Sequence, residues 1–245
     1  MDHYGPATYG DRIAEFYDEQ HAALAIDHPM IERLANLSAA GPALELGIGT
    51  GRVALPLLSR GVAVHGIDAS PAMVDRLRGK PGGAEIPVAI GDFADVPVAG
   101  RYTLIYVVFN TFFALVSQDE QVRCIANCAS HLETGGALLI EAFYPDLARY
   151  TRGQSVSATR VGIDHVSLDV TRHDPVRQHV TSQQIHFTAN GLNMYPVHLR
   201  YAWPSEIDLM ARLAGLRLES RLGGWQGEPY TAAAGMHVSL YRKRD

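Results

Sequence analysis

Three short stretches of this 245-residue chain combine residue types that can recognise a nucleoside. In the first, Glu45 precedes Gly47, Gly49 and Gly51, spaced Gly-x-Gly-x-Gly, and Arg52 follows directly. Glycine at a tight turn lets a ligand approach the backbone closely. A dinucleotide site would instead carry Gly-x-Gly-x-x-Gly, with a pyrophosphate on the helix N-terminus. In the second stretch Asp68 ends an apolar run, where a carboxylate can accept both hydroxyls of a ribose. In the third, Gly91-Asp92-Phe93 sets another acid beside an aromatic, a pairing suited to an adenine amine and its ring face.

These groups can meet only if the intervening elements bring three strand ends to one edge. Hydrophobic periodicity predicts two helical pieces in the first 40 or so residues, with Ile13, Phe16 and Tyr17 on one face and Met30, Ile31, Leu34 and Leu37 on another. Strands follow at 43–46, 62–67, 86–90, 104–109 and 137–143, with helices at 52–60, 71–78 and 118–132 between them. Alternation of this kind implies βαβ units and a parallel sheet whose right-handed crossovers place helices on both faces. In such a sheet ligands bind at the carboxyl ends of the strands.

The pattern changes after residue 145. Alternating apolar positions (Val166, Leu168, Val170; Val180; Ile185, Phe187; Val197, Leu199, Tyr201) are separated by turn signals at Asp174-Pro175 and Asn190-Gly191. They predict three or four antiparallel strands. A helix from Pro204 and two closing strands near 216–222 and 236–242 return to the main sheet. The expected fold is α/β: a Rossmann-like, mostly parallel seven-stranded sheet (41–145 and 203–245), a helical N-terminal cap (1–40) and an antiparallel β lid (146–202).

Taken together, "LELGIGTGR", "GIDASPAMV" and "GDF" resemble the first three motifs of class I S-adenosylmethionine-dependent methyltransferases. The resemblance covers Gly41 to about Phe143. It implies S-adenosylmethionine as cofactor and S-adenosylhomocysteine as product. Gly47 and Gly49 would approach the methionine part, with Gly51 and Arg52 in the same motif and Glu45 orienting the loop. Asp68 would hold the ribose, with Ala69 and Met73 beside it, and Asp92 the adenine amine, with Phe93 nearby. Phe109-Asn110-Thr111-Phe112 stands where some nitrogen methyltransferases carry Asn/Asp-Pro-Pro-aromatic. The prolines are missing, so the amide-clamping role does not carry over; Asn110 is read either as facing the donor or as a turn former. The N-terminal "ATYGDRIAEFYDEQH" and the β insertion are similar to amino-sugar and lincosamide N-methyltransferases of bacterial secondary metabolism. That likeness implies that Tyr9 and Tyr17 close over the donor. Tyr9, Tyr17, Phe112 and Phe113 are the candidates for aromatic faces near the positively charged methyl.

Other constellations carry less. Cys124, Cys128 and His131 share a helix face without a fourth ligand, so they read as packing and no metal is expected. Asn110 and Glu141 are too few acids for magnesium; Glu141 is read as orienting a substrate amine or the loop after Phe143. Among insertion histidines 165, 173, 179 and 186, His165 is the preferred base, since an unperturbed imidazole titrates near ~6.5. Trp203, Trp225 and Tyr230 could wall a substrate pocket. A net charge of −5 argues against a nucleic-acid partner. No run of about 18 apolar residues could span a membrane, and the polar N-terminus does not read as a signal peptide. Two cysteines exclude a disulfide framework, so the cytoplasm is expected. The expected acceptor is a small molecule methylated on nitrogen. Methylation on oxygen and a donor-binding protein without catalysis are the alternatives, and a homo-oligomer is left open.

Overall fold

The computed structural model describes residues 4–21, 28–39, 41–189 and 191–244. Helices α1 (Thr8–Ile13), α2 (Tyr17–His21) and α3 (His28–Ser38) lead into strand β1 (Ala43–Leu46). Then come α4 (Ala54–Leu58), β2 (Val64–Asp68), α5 (Pro71–Arg78), β3 (Val88–Ile90), β4 (Tyr102–Val107), α6 (Gln118–His131) and β5 (Leu132–Phe143). After an excursion the chain returns through α7 (Pro204–Leu213), β10 (Leu216–Leu222) and β11 (Met236–Lys243). The main sheet has seven strands in the order β10-β11-β5-β4-β1-β2-β3. Only β11 runs antiparallel to its neighbours, so the sheet is mostly parallel as expected. The strand order reverses between β1 and β4, which opens a crevice at their carboxyl ends.

Local chemistry sets these boundaries. Strand β1 is buried along its whole length, as a central parallel strand must be, and Glu45 is its one polar member. Ser70 caps α5 by accepting from Met73 N–H at 3.2 Å, with Pro71 in the first turn where its missing donor costs nothing. Ser117 and Glu120 form a reciprocal capping box on α6. Helix α4 is shorter than the 52–60 expected, because the glycine turn runs on to Val53. The N-terminal helix also breaks: Ile13 is fully buried while Phe16 is exposed, so the two do not share an inward face and the chain turns between α1 and α2.

The excursion is a four-stranded antiparallel meander of β6 (Gln154–Val161), β7 (His165–Asp174), β8 (His179–Thr188) and β9 (Gly191–Arg200). Asp174 Oδ1 accepts from Val176 and Arg177 N–H and shapes the turn from β7 to β8. Asn190, expected in the next turn, lies outside the described residues. The face of these strands turned to the main body is mixed: Val180, Val197 and Leu199 share it with polar residues. Asp169, Thr171, Ser182 and Gln184 face a cavity against the main body, while the other face exposes Val156, Phe187, Leu192 and Met194. Polar groups on a covered face are a departure from ordinary core packing.

The root of the meander is bolted to the main body by Arg200, a 5% exposed side chain. Its guanidinium donates to Gln121 at 2.5 Å, Glu206 at 2.7 Å and Gln178 at 3.2 Å. Burial raises the Glu206 carboxyl, but hydrogen bonds from Gln178, Arg200 and Gln118 outweigh it and hold the group below its ordinary range. Its contribution is therefore present in full above pH 4.5 and is lost as pH falls through the depressed value. Arg200→Met should cost about 3 kcal/mol, because it removes the ionic partner of the partly buried Glu206 and leaves the buried Gln121 Oε1 without its donor. That corresponds to a fall in Tm of roughly 6–12 °C for a chain of this size. A thermal scan showing a fall of less than about 2 °C would remove this network from the account of stability.

Candidate active site

A cavity of about 240 Å³ lies at the carboxyl ends of β1, β2 and β3. Gly47 and Gly49 line it, followed by Asp68, Ala69, Met73, Asp92 and Phe93, with Tyr9 and Tyr17 from the N-terminal helices. Gly47 has φ +71, and a Cβ there would lie 2.5 Å from the Thr111 methyl. Gly49 has φ +55 and open space where a Cβ would point, as a backbone approached by a ligand requires. Gly51 does not line the cavity; a Cβ there would strike Leu77, so its place is packing.

The cavity carboxylates are oriented before any ligand binds. Asp68 Oδ2 accepts Gly49 N–H at 2.7 Å and Oδ1 accepts Ser70 N–H at 2.8 Å. Each oxygen retains a lone pair for a hydroxyl donor. Burial raises the Asp68 carboxyl against these two hydrogen bonds. Asp92 Oδ1 accepts Ala94 N–H at 2.8 Å, which leaves its second oxygen for an amine. The N-terminal cap is pinned over these loops by two of its own acids. Asp11 accepts from Ser70 Oγ at 2.6 Å. Asp18 accepts from Thr50 Oγ1 at 2.6 Å and pairs with Lys80 at 2.7 Å. Burial holds the Tyr9 and Tyr17 phenols above their usual range, so both remain protonated donors at neutral pH.

Four residues expected at the donor are not part of the lining of this cavity: Glu45, Arg52, Phe109 and Asn110, although Arg52 adjoins the lining at Tyr17. Glu45 is buried under the glycine turn and accepts from Tyr106 Oη at 2.9 Å; burial pushes its carboxyl up to about 8. The Arg52 guanidinium carbon lies over the Phe109 ring, 3.6 Å from its centroid, and 5.7 Å from that of Tyr17. Arg52 Nε and Nη1 are buried without a partner. A buried guanidinium with unfilled donors is costly unless an anion completes it, and a carboxylate fits that fork. The Asn110 side chain is turned to the chain itself: its Oδ1 accepts Phe143 N–H at 2.6 Å. Of its two sequence readings, the turn former is the one realised. Glu141 accepts Phe109 N–H at 2.5 Å.

A second cavity, about 680 Å³, opens between the polar face of the meander and the end of β5. Phe143, Tyr144, Tyr150, Tyr201 and Trp203 give it aromatic walls. Asp169, Thr171, Ser182 and Gln184 supply hydrogen-bonding groups, with Asp169 accepting from Ser182 and 3.8 Å from Arg149. Trp203 meets Tyr144 edge-on at 5.5 Å, and Tyr230 stands behind Tyr144 at 6.4 Å. Trp225 lines a different surface groove near α3, away from both cavities.

Two expectations about chemistry need correction. His165 is on neither cavity wall: it pairs with Thr188 at the far end of the hairpin, roughly 13 Å along β7 from Asp169. The histidine beside the cavity is His173, stacked on Tyr150 at 4.5 Å with Nε2 3.0 Å from Tyr201 Oη. Phe113 is fully buried, with Phe112 beside it, because a 3-10 turn over Thr111–Ala114 rotates both rings into the core. Its ring meets Phe143 edge-on at 4.9 Å, and Phe143 is the aromatic that reaches the larger cavity. Cys124 and Cys128 are buried in the core, and both His131 ring nitrogens face backbone carbonyls. Sequence reasoning missed Tyr4, Thr111, Leu115 and Val116 on the donor cavity. Tyr4-Gly5 repeats the Tyr9-Gly10 pair, the one signal that pointed to it.

Residues 43–136 match the methyltransferase domain family. Over 93% of its length the chain is 30% identical to the cypemycin N-terminal methyltransferase of Streptomyces sp, covering 94% of that protein. The chain belongs to the class I S-adenosylmethionine-dependent methyltransferases of secondary metabolism. Its structure superposes on the CcbJ methyltransferase from Streptomyces caelestis with TM-score 0.91 and 37% identity, over 99% of this chain and 100% of the other. The fold is shared with KedS8, a sugar N-methyltransferase from Streptoalloteichus sp ATCC 53650, at TM-score 0.69 and 18% identity, over 100% and 99% of the two chains. S-adenosylmethionine is thus the methyltransferase's cofactor, and the smaller cavity fits it. The orphaned Arg52 nitrogens suit its carboxylate, the Gly49 opening its chain, and the free lone pairs of Asp68 its ribose. No described helix is long and apolar enough to cross a membrane.

Proposed function

We propose that this methyltransferase transfers a methyl group to an amine nitrogen of a small-molecule acceptor bound in the larger cavity. The carrying observation is the composition of that cavity: two carboxylates, one guanidinium, hydroxyls and aromatic faces, with no histidine on its walls among the described residues. An amine needs only to be neutral when it attacks, whereas a hydroxyl needs a base to take its proton. Bound S-adenosylmethionine supplies an electrophilic methyl on a sulfonium. The protein's part is alignment and exclusion of water. Asp68 and Asp92 would hold the nucleoside and Arg52 the carboxylate, and the donor held there would supply its methyl to the acceptor's nitrogen lone pair. Asp146 and Asp169 outnumber the one cation among the lining residues, Arg149, which lies 3.8 Å from Asp169, and the net negative charge draws a cationic amine to the cavity before it deprotonates to solvent. Two similar proteins, an N-terminal methyltransferase and a sugar N-methyltransferase, support nitrogen as the target.

Tyr9 and Tyr17 close the donor side in this reading. Tyr17→Phe should weaken S-adenosylhomocysteine binding about fivefold if its hydroxyl anchors the donor, roughly 1 kcal/mol. Tyr17→Ala should also lower kcat, because the ring face beside the methyl is lost. Calorimetry and single-turnover rates on both variants separate the two roles. Wild-type values in both would leave the cap without a part in this site.

The His173–Tyr201 contact at the cavity edge favours a second reading, methylation of a hydroxyl. The pH dependence of kcat/KM decides between them. An amine acceptor gives a profile that follows the acceptor's own pKa. A histidine base gives one that follows the enzyme and is abolished in His173→Gln.

A further inference from the structure

Phe109 and Asn110, which follow β4, both have left-handed backbone, with φ +56 and +64. Two successive non-glycine residues do not hold that conformation unless the surroundings impose it. Here two reciprocal hydrogen bonds do so. Glu141 on β5 reaches across to accept Phe109 N–H at 2.5 Å, and Asn110 reaches back to accept Phe143 N–H at 2.6 Å. The resulting turn lays the Phe109 ring against the Arg52 guanidinium at 3.6 Å. That contact is made to the guanidinium carbon above the ring and leaves Nε and Nη1 without a hydrogen-bond partner. Glu141 is buried close enough for Arg52 to lower its carboxyl, the third influence after burial and the Phe109 hydrogen bond. Even so, its carboxylate accepts no hydrogen bond from Arg52 Nε or Nη1.

We propose that Glu141 is a positioning residue of the donor site: it fixes the Phe109–Asn110 turn, the turn holds a ring under Arg52, and the ring presents two desolvated guanidinium nitrogens to the donor's carboxylate. The role rests on Arg52 receiving that carboxylate, and the two claims are separable by experiment. S-adenosylhomocysteine and 5′-methylthioadenosine share the adenosine, but only the former has the carboxylate. Calorimetric titration with both reads the difference.

Glu141→Met fills the space but cannot accept a hydrogen bond. It should weaken S-adenosylhomocysteine binding about tenfold or more and change methylthioadenosine binding less than about twofold. Glu141→Gln keeps an acceptor oxygen for Phe109 N–H and should stay within about threefold of wild type for both ligands. Phe109→Leu should reproduce the Met effect, and the double variant Glu141→Met, Phe109→Leu should be no worse than about either single change, since both act through one contact. Equal losses for the two ligands, a Gln variant as weak as the Met variant, or losses that multiply in the double variant each overturn the proposal. If Glu141→Met does not fold, the Gln variant, Phe109→Leu and Glu141→Gln, Phe109→Leu carry the same comparison. Arg52→Leu tests the underlying reading. If it leaves S-adenosylhomocysteine affinity unchanged, the carboxylate lies elsewhere; if it alone removes the advantage over methylthioadenosine while Glu141→Met does not, only the positioning role fails.

Discussion

Asp68→Ala is expected to weaken S-adenosylhomocysteine binding at least about a hundredfold while the fold is retained. Two ribose hydroxyls donating to a carboxylate are worth about 1.5–3 kcal/mol each. The same change releases Gly49 N–H and Ser70 N–H, which Asp68 holds at 2.7 and 2.8 Å, so the glycine turn loses its orientation as well. Asp68→Asn, which keeps an acceptor oxygen but not the charge, should fall between wild type and Ala. Burial raises the Asp68 carboxyl in the free protein, so donor affinity should drop as pH falls through that raised value, before an exposed aspartate would titrate. Titration calorimetry across acidic pH reads both effects. Unchanged affinity in Asp68→Ala would place the ribose elsewhere.

The second large effect concerns the acceptor alone. Val197 sits on the meander wall of the larger cavity, opposite Ser182 on the neighbouring strand. Val197→Trp projects an indole into that space from a residue that does not line the donor cavity. The expected result is a loss of about tenfold or more in kcat/KM for the acceptor, with S-adenosylhomocysteine affinity within about twofold of wild type. Such a split assigns the residue to acceptor binding. A matching loss of donor affinity would mean that the two cavities are one site. They do share structure at the root of the meander, where His179 Nε2 donates to the carbonyl of Val116 at 2.9 Å and Tyr4 packs edge-on against His198 at 5.8 Å.

The donor side was legible in the sequence because each of its parts is local. Gly47 and Gly49 must follow β1 to turn, and Asp68 and Asp92 must stand where β2 and β3 stop, so strand order alone assembles them. What the periodicity could not give was the direction of side chains in irregular turns. Phe113 was placed at the methyl, yet the 3-10 turn drives it into the core and exposes Thr111 and Leu115 to the donor cavity instead. Asn110, open in the sequence between a donor contact and a turn former, is half of a strand-end clamp, a role that depends on Phe143, far along the chain.

The acceptor side was hardly legible. Its polar residues come from alternate positions on β7 and β8, and alternation tells which residues share a face, not which end of a hairpin meets the body. His165 and His173 have the same parity on β7, and only the packing of Tyr150 and Tyr201 around His173 distinguishes them. The pins that hold the cap, Asp11 on Ser70 and Asp18 on Thr50, are contacts between residues with no local pattern, so helical periodicity was silent about them.

Transfer to nitrogen is tested most directly by incubating the purified protein with methyl-labelled S-adenosylmethionine and a panel of amine-bearing sugars, lincosamide-type amines and peptides with free N-termini, each matched to an analogue carrying hydroxyl in place of the amine. Mass spectrometry with fragmentation locates the label. The expected result is one labelled methyl on the amine nitrogen of at least one acceptor, with equimolar S-adenosylhomocysteine and no label on its hydroxyl analogue. Label on oxygen, or tight donor binding with no methylated amine anywhere in the panel while hydroxyl analogues are converted, would contradict it.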